Sequence, residues 1–366
     1  MIWIDRTTFI VIVALAAVSC GSDGGNGGLD AIADIPTADT GWTPPQCHDP
    51  TQPGPYKVGF RDLLLDDPQR DGKLDSRMHY PAAVAGEGTE VDFSGAPYPL
   101  VILSHGFLMY PGTYDYLAAH LASHGFVVLG TKHYDSAGPV IKRLAELCNT
   151  IPPDQQLDRI AEVFTKLIEH NHAHRRVGDV SALIDAATAM NVSDKDLAGA
   201  IDVSRTGVVG HSFGAFTGLA ASGAKIQVDA VKPTCKGEPT IADIMTQGIM
   251  QFLTCMVLSV TDDDLKQGPI DLRDERVSAL VNMAGPQELI WGNTFEGLAD
   301  VAVPVMLIYT DTDEAVPFET GPVLAWDVYP APKYFLSFAG GNHANFGHID
   351  KSFFDAAKAS IPDGCA

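Results

Sequence analysis

The sequence predicts an α/β fold with a mainly parallel central sheet flanked by helices. Short apolar runs of strand length recur along the chain, and segments with helical spacing of apolar residues separate them. A Gly-x-Ser-x-Gly segment at residues 210–214 joins one such run to a stretch of small, helix-compatible residues. Strands that alternate with helices form parallel sheets with right-handed crossovers. The chain of 366 residues can hold one large domain of this kind or two small ones.

Two strands at residues 58–65 and 74–80, joined by an Asp/Gly-rich turn, predict an antiparallel hairpin at the start of the domain. Apolar runs without polar alternation are typical of strands that are covered on both faces. Such strands are predicted at residues 99–104, 126–130, 206–210, 277–284, 304–310 and 334–338.

Helices are predicted between these strands. We expect Thr113 to cap a helix whose apolar side carries Leu117 and Leu121. Within residues 155–190, five apolar residues recur at helical spacing: Val177, Val180, Leu183, Ile184 and Ala187. The alternation breaks at about residues 225–276, and an inserted segment of that size is a candidate lid or substrate-shaping element.

The first 54 residues predict export and a flexible tether. Arg6 precedes an uncharged, mostly apolar run at residues 7–18, which is too short to span a bilayer and is typical of a signal peptide. The segment Ala17-Val-Ser-Cys20, followed by glycine-rich residues, resembles a bacterial lipoprotein signal, in which the cysteine carries lipid. The expected organisation is a signal peptide at 1–19, a tether at 20–54 and a catalytic domain at 55–366.

Lipidation at Cys20 predicts a protein anchored to the bacterial cell envelope, with the outer membrane as the expected location. The alternative is an ordinary cleaved signal, an incidental cysteine and a secreted protein. Export permits disulfides, so we expect two bridges and one free thiol among the other cysteines, with the pairing left open. These cysteines are Cys47, Cys148, Cys235, Cys255 and Cys365.

The formal net charge of −22 argues against a nucleic-acid partner, because an acidic surface repels phosphate backbones. No metal site is expected. His170, His172 and His174 alternate by two, which on a helix scatters them around the axis. The residues 262–264, three aspartates, are expected to form a solvated loop, and no Cys-x-x-Cys spacing for zinc occurs.

Ser212 is the predicted nucleophile. It lies in Gly210-His-Ser-Phe-Gly214, directly after the strand predicted at 206–210 and before small residues that favour a helix. A sharp strand-to-helix turn holds such a serine in a strained conformation with its hydroxyl exposed. Its place at a helix N-terminus also directs backbone N–H groups at developing negative charge.

A serine hydroxyl needs a base to take its proton and an acid to orient that base. His343 follows the last predicted strand and is the expected base, while His348 is a weaker candidate because it lies further from the strand end. Asp313 follows the strand at 304–310 and is the expected acid, with Asp311 as the alternative.

Acyl transfer also requires two N–H donors for an oxyanion. We expect these donors to be the backbone N–H groups of Phe213, next to the nucleophile, and Phe107, in the loop after the strand at 99–104. His105 is expected to brace this loop and not to transfer protons. Three tyrosines nearby either line a pocket mouth or pack as ordinary aromatic side chains: Tyr110, Tyr114 and Tyr116.

Several segments are similar to those of platelet-activating-factor acetylhydrolases and dienelactone-hydrolase-like proteins, within the α/β-hydrolase superfamily. These segments occur in the same order over residues 54–350. They are residues 54–59 and 79–82, Pro99-Leu-Val-Ile-Leu-Ser-His-Gly106, Leu121-Ala-Ser-His-Gly-Phe-Val-Val128, Gly210-His-Ser-Phe-Gly214 and His343-Ala-Asn-Phe346. The resemblance implies an α/β-hydrolase fold, a serine-dependent carboxylic ester hydrolase and no cofactor. It implies short-acyl or otherwise accessible ester substrates, lipid or polyester included, and we expect a monomer.

The chain departs from the acetylhydrolases at one position. Their acid follows the strand after the nucleophile helix, where this chain has Asn282, which cannot serve as an acid. Asp313 instead resembles the acid of cutinase-like and polyester hydrolases, so acetylhydrolase specificity is not carried over. Other functions use the same residues or scaffold: an amidase or peptidase, a perhydrolase, and a non-catalytic surface-binding lipoprotein.

Overall fold

The computed structural model describes residues 52–69, 72–136, 173–231, 233, 268–286 and 289–347. Its strands in chain order are β1 (Lys57–Asp67), β2 (Gly72–Ala82), β3 (Gly86–Glu87), β4 (Tyr98–Ser104), β5 (Val127–Thr131), β6 (Ile201–His211), β7 (Ile226–Gln227), β8 (Pro269–Ile270), β9 (Val277–Met283), β10 (Val305–Thr310) and β11 (Lys333–Phe338). Nine of these strands form one sheet in the order β11-β10-β9-β6-β4-β5-β2-β1-β3.

The α-helices in the described residues are α1 (Asp115–Ser123), α2 (Ala173–Ser193), α3 (Phe213–Ala221), α4 (Val228–Val231) and α5 (Pro322–Ala325). Short 3₁₀ helices lie at Phe93–Gly95, Pro111–Tyr114, Leu289–Trp291, Glu296–Asp300, Trp326–Val328 and His343–Phe346. None of the helices seen in these ranges has the length and apolar character needed to cross a membrane.

The sheet has the predicted mixed direction. β1 and β2 pair antiparallel from Lys57 opposite Ala82 to Asp67 opposite Gly72, which confirms the predicted hairpin. β2 pairs antiparallel with β5, and the strands from β5 through β4, β6, β9 and β10 to β11 are parallel. This mostly parallel sheet flanked by helices confirms the predicted α/β-hydrolase fold class.

The helices lie on the two faces that right-handed crossovers dictate. The chain moves one way along the sheet from β4 through α1 to β5, and the other way from β5 to β6 and from β6 through α3 to β9. A right-handed connection in opposite directions places α1 on one face and α2 with α3 on the other. All five predicted core residues of α2 are buried, which confirms that helix face.

The start of α1 differs from the prediction. Thr113 does not cap the helix, because it lies inside the 3₁₀ helix Pro111–Tyr114 and its hydroxyl donates to the carbonyl oxygen of Tyr110 at 2.7 Å. Pro111 at the beginning of this turn has the fixed φ angle that a tight helical turn needs. Leu117 and Leu121 are buried as predicted.

The two ends of the predicted insertion meet in a ribbon, where β7 and β8 pair antiparallel with Ile226 opposite Ile270. The candidate lid between them lies largely outside the described residues. The same holds for the signal peptide, Cys20, almost all of the tether and the five other cysteines. At residue 54 the chain already contacts the domain, since the Gly54 N–H donates to the Ser123 hydroxyl at 2.8 Å.

The core positions the candidate site through four neighbouring parallel strands, β4, β6, β9 and β10, whose last residues are buried. Their register places Ser104 beside Gly210 and His211 beside Met283. The carboxyl ends of these strands therefore share one edge of the sheet. The loops that leave this edge carry every residue that the sequence predicts for catalysis.

Candidate active site

Ser212 occupies the sharp turn between β6 and α3. Its backbone angles are φ 54° and ψ −120°, a conformation that costs a non-glycine residue about 1–3 kcal/mol. The residue precedes the first residue of α3, so the helix N-terminus lies directly behind it. The strained turn predicted from the Gly-x-Ser-x-Gly segment is therefore present, but Ser212 is only 7% exposed, so the predicted exposure of the serine is not seen.

The two glycines of this segment are required by close backbone contacts. A Cβ atom at Gly210 would lie 2.2 Å from the carbonyl oxygen of Gly214. A Cβ atom at Gly214 would lie 2.0 Å from the carbonyl oxygen of Ser104, at the end of β4. Because no side chain fits at either position, α3 can start directly against β4 and hold Ser212 at the sheet edge.

His343 and Asp313 form a close pair in the loops after β11 and β10. His343 Nδ1 lies 2.8 Å from Asp313 Oδ2 and 3.1 Å from Asp313 Oδ1. The Asp313 side chain is fully buried, and its Oδ1 also accepts the N–H groups of Ala315 and Val316 at 2.9 and 2.8 Å. An ionised carboxylate only accepts hydrogen bonds, so this contact places the His343 proton on Nδ1 and leaves Nε2 as an acceptor.

Asp311 has a different contact. Its Oδ1 accepts the backbone N–H of Gly340 at 2.6 Å, which ties the loop after β10 to the loop that carries His343. The neighbouring Glu314 accepts the N–H of His343 at 3.2 Å. Of the two candidate acids, Asp313 is thus the one that contacts the imidazole. His348 lies outside the described residues.

His211, the residue before Ser212, contacts His343. The imidazole rings of His211 and His343 lie 4.8 Å apart, and Ser212 is the next residue in the chain. Within the described ranges, no hydrogen bond joins the Ser212 hydroxyl to the His343 ring. Nucleophile–base hydrogen bonds often tighten only in the complex with substrate.

The loop at residues 105–109, here called the oxyanion loop, lies beside the N-terminus of α3. The Phe107 and Phe213 rings meet edge to face with centroids 6.2 Å apart. As the first residue of α3, Phe213 has no intrahelical acceptor for its N–H. Leu108 has a φ of 58°, so the oxyanion loop also contains a strained residue.

A buried polar network supports this loop, and the sequence did not indicate it. Arg176, on α2, is fully buried and donates to the carbonyl oxygen of His105 at 2.7 Å. Its guanidinium also lies 4.6 Å from the centre of the Phe213 ring and 3.2 Å from Asp135. His105 accepts the N–H of His133 at 3.1 Å, and burial, then His133 and Arg176, hold its pKa well below the usual value. His105 thus braces the loop, as expected.

A second Ser-His-Asp arrangement lies inside this network. His133 is 2.9 Å from the Ser104 hydroxyl and 2.8 Å from Asp179. Ser104 and His133 are each 1% exposed and Asp179 is not exposed at all, so a substrate cannot reach them. Ser104 is the last residue of a regular strand and lacks the strained turn of Ser212. We interpret this set as structural support beneath the oxyanion loop.

Asn282 fills the position where the acetylhydrolase-like pattern has its acid. It is fully buried near the end of β9, and its Oδ1 accepts the Gly285 N–H at 2.8 Å and the Tyr309 hydroxyl at 3.2 Å. The residue therefore holds the turn after β9 and does not contact His343. Among the described residues, no group of three or more His, Cys, Asp or Glu side chains could hold a metal ion.

Comparison with known protein families matches part of this architecture. The family model of platelet-activating factor acetylhydrolase, isoform II, matches residues 85–230. These residues contain the oxyanion loop, Ser212 and the start of α3, whereas Asp313 and His343 lie beyond them. The match confirms the resemblance to α/β-hydrolase-like esterases. It covers the segments predicted to carry the nucleophile and the oxyanion donors, but not those predicted to carry the base and the acid.

Curated proteins show the same similarity. Platelet-activating factor acetylhydrolase of Canis lupus familiaris is 29% identical over 147 residues, which cover 35% of this chain and 32% of the relative. That of Gallus gallus is 25% identical over 146 residues, covering 34% and 35%. Chlorophyllase-2 of Arabidopsis thaliana is 43% identical over 54 residues, covering 14% and 17%. The chain thus matches about a third or less of the length of these relatives.

Proposed function

We propose that this protein is a serine-dependent carboxylic ester hydrolase that acts through an acyl-enzyme intermediate. The observation that carries the proposal is that the strained Ser212 and the His343–Asp313 pair lie in turns at the same edge of the sheet, with the rings of His211 and His343 4.8 Å apart. The matched family and relatives support ester hydrolysis as the reaction class, because they are named as acetylhydrolases and a chlorophyllase.

In the proposed mechanism, the unprotonated Nε2 of His343 takes the Ser212 proton as the hydroxyl attacks the ester carbonyl carbon. The backbone N–H groups of Phe107 and Phe213 stabilise the resulting oxyanion. His343 then protonates the leaving alcohol, and the acyl group remains on Ser212. Water, activated by the same imidazole, releases the acid and restores the serine. Asp313 holds the Nδ1–H tautomer throughout and stabilises the imidazolium.

The substrates that we propose are short-acyl or otherwise accessible esters, small or polymeric, including lipid and polyester esters. The net charge of −22 supports neutral or cationic substrates over acidic ones. The Asp313 position, after β10, supports a reaction like that of cutinase-like esterases without the substrate preference of the acetylhydrolases. No residue in the proposed mechanism needs a cofactor.

A fluorophosphonate probe tests the nucleophile directly, because it reacts with activated serines. We expect the probe to label the parent protein at Ser212. The Ser212→Ala variant should stay folded but should not be labelled, and its kcat should be at least about a thousandfold lower. Ser104→Ala is the matched control, since it removes the serine of the buried Ser-His-Asp arrangement and should leave labelling at position 212. An unlabelled parent protein would instead support a non-catalytic surface-binding protein.

A substrate panel separates the remaining functions. Nitrophenyl esters from acetyl to long-chain acyl groups, matched nitroanilides and a polyester film measure the acyl preference and the ester-to-amide ratio. We expect esters to be cleaved at least about a hundred times faster than the matched anilides. Faster anilide cleavage would assign the same residues to an amidase or peptidase, and peracid formation with acetate and hydrogen peroxide would indicate a perhydrolase.

We also propose that the protein is exported and lipid-anchored at Cys20, which would place the catalytic domain at a bacterial envelope surface behind the tether at 20–54. The lipoprotein-like segment around Cys20 supports this location. Metabolic labelling with an alkyne fatty acid in a bacterial host should modify the parent protein and not Cys20→Ala. Equal labelling of both proteins would reject Cys20 as the anchor.

A further inference from the structure

His211, the residue before Ser212, links the loop that carries His343 to the oxyanion loop. Its Nε2 lies 3.1 Å from the backbone carbonyl oxygen of His343. Its Nδ1 lies 2.6 Å from the hydroxyl of Tyr114, which accepts the N–H of Gly106 at 3.2 Å. These four residues, His343, His211, Tyr114 and Gly106, form one chain of contacts, here called the His211 chain, and its central residue precedes Ser212 in the sequence.

The direction of each proton in the His211 chain follows from the partners. A carbonyl oxygen only accepts, so the His343 contact requires a proton on His211 Nε2. Burial, and next the nearby His343, hold the His211 pKa well below its usual value, so the ring is neutral and Nδ1 is an acceptor. The Tyr114 hydroxyl must therefore donate to Nδ1, and its oxygen remains free to accept from Gly106.

Tyr114 can supply this proton at any ordinary pH. Its side chain is fully buried, and burial raises the pKa of its hydroxyl. The hydroxyl also lies 2.8 Å from the sulfur of Met109. A thioether is a much weaker acceptor than an imidazole nitrogen, so the proton belongs to the His211 contact.

Packing leaves the His211 ring little freedom. It is fully buried, with the His343 ring at 4.8 Å and the Phe346 ring at 5.3 Å. On the other side, a Cβ atom at Gly106 would lie only 3.2 Å from His211 Nδ1. Because the ring packs between the loop that carries His343 and the oxyanion loop, a shift of one loop would displace the other.

We infer that His211 is a positioning residue that uses this chain to hold His343 and the oxyanion loop in register around Ser212. His343 is fixed by three contacts: Asp313 on Nδ1, Glu314 on the backbone N–H and His211 on the backbone carbonyl. Of these three contacts, only the one with His211 connects His343 to the turn that carries Ser212. The catalytic consequence of this inference rests on the proposed ester hydrolase function.

Two substitutions at position 211 separate hydrogen bonding from volume. His211→Leu fills the space but cannot donate a hydrogen bond to His343. We expect its kcat on a nitrophenyl ester to fall about a hundredfold, because a small misplacement of a catalytic base lowers the rate by about this factor. KM should change less than threefold. His211→Gln offers an amide donor near Nε2 and should recover kcat to within about tenfold of the parent. His79→Leu is the matched control, because His79 is a buried histidine on β2 away from Ser212 and kcat should stay within twofold.

Nuclear magnetic resonance of the ¹⁵N-labelled parent protein tests the chain without any activity. We expect the ¹⁵N signals of His211 to show a neutral ring that is protonated on Nε2 and unprotonated on Nδ1. A proton on Nδ1 overturns the chain even if the protein hydrolyses esters. If His211→Leu does not fold, Tyr114→Phe removes the next link with a smaller change in volume and should lower kcat about tenfold.

The outcomes separate this inference from the proposed function. A parent protein that hydrolyses esters, together with a folded His211→Leu variant whose kcat lies within threefold of the parent, overturns the inference alone. Equal losses in the Leu and Gln variants also overturn it, since the hydrogen bond would then be irrelevant. A parent protein without ester hydrolysis overturns the proposed function and with it the catalytic role of His211.

Discussion

His343 Nδ1 lies 2.8 Å from Asp313 Oδ2, although the two residues stand 30 positions apart and leave two different strands of the sheet. The contact exists because β10 and β11 are parallel neighbours that end at the same edge. Asp311, only two residues away, contacts the backbone N–H of Gly340 instead. Only one of these two neighbouring carboxylates therefore contacts the imidazole.

Asp313→Asn should lower kcat by about four orders of magnitude, because an amide cannot hold the Nδ1–H tautomer or stabilise an imidazolium. Asp311→Asn is the matched control and should cost less than tenfold, since an asparagine oxygen can still accept the Gly340 N–H. Steady-state kinetics on a nitrophenyl ester, with thermal unfolding to verify the fold, measures both. A larger loss at residue 311 than at residue 313 would assign the acid to Asp311.

Gly214→Ala should lower the free energy of unfolding by about 3 kcal/mol or prevent folding, because its Cβ would lie 2.0 Å from the Ser104 carbonyl oxygen. Gly207→Ala, on the same β6–α3 unit, is the control, since the nearest atom to its Cβ would be 3.7 Å away, at Ala279. We expect it to change stability by less than about 1 kcal/mol. Urea unfolding of the two variants measures the difference, and equal effects would contradict the close approach of α3 to β4.

Arg176→Met should destabilise the protein by about 3–5 kcal/mol, because it removes the cation that lies 3.2 Å from the buried Asp135 carboxylate. It should also weaken the support of the oxyanion loop, which receives the Arg176 hydrogen bond at the His105 carbonyl. Lys132→Met removes a cation from an exposed pair with Asp75 and should cost less than about 1 kcal/mol. Chemical denaturation compares the two, and a cost for Arg176→Met as small as that for Lys132→Met would show that the buried pair contributes little.

Acidification from pH 7 to pH 5 should lower the free energy of unfolding. Burial holds the pKa values of His105 and His211 well below the usual 6.5, so below that value the unfolded chain binds protons that the folded protein does not. Stability is then fully present above about pH 6.5 and is lost as the pH falls toward the folded-state pKa values, by up to about 1.4 kcal/mol per pH unit for each histidine.

Urea unfolding at several pH values measures this slope. Burial also lowers the pKa of His79, which adds to the slope in the same direction. His211→Gln removes one of these histidines and should reduce the slope of the free energy of unfolding against pH by up to about 1.4 kcal/mol per pH unit. Asp274, whose pKa is lowered to about 2 by its hydrogen bond to Arg276, loses its contribution only at lower pH. A stability that stays constant or rises between pH 7 and pH 5 would contradict the neutral state of these histidines.

The sequence by itself determined the features that depend on local pattern. Apolar runs of strand length identified the parallel strands, and the helical spacing of five residues identified the buried face of α2. The segment Gly210-His-Ser-Phe-Gly214 predicted the turn at Ser212, because two glycines around a serine between a strand and a helix have few other uses. The Thr113 cap was wrong, since Pro111 begins a 3₁₀ turn before the helix and places Thr113 inside it.

Only the tertiary structure decided which groups touch. The contact of His343 with Asp313 and not Asp311, the His211 chain and the burial of Arg176 under Phe213 all join residues that are far apart in sequence, 132 positions for His211 and His343. A hydrogen bond needs its two atoms within about 3 Å and in the right direction, and that precision comes from the register of the strands and the path of the loops. Residue type and spacing identify which side chains can react, whereas the packed sheet edge decides which of them meet.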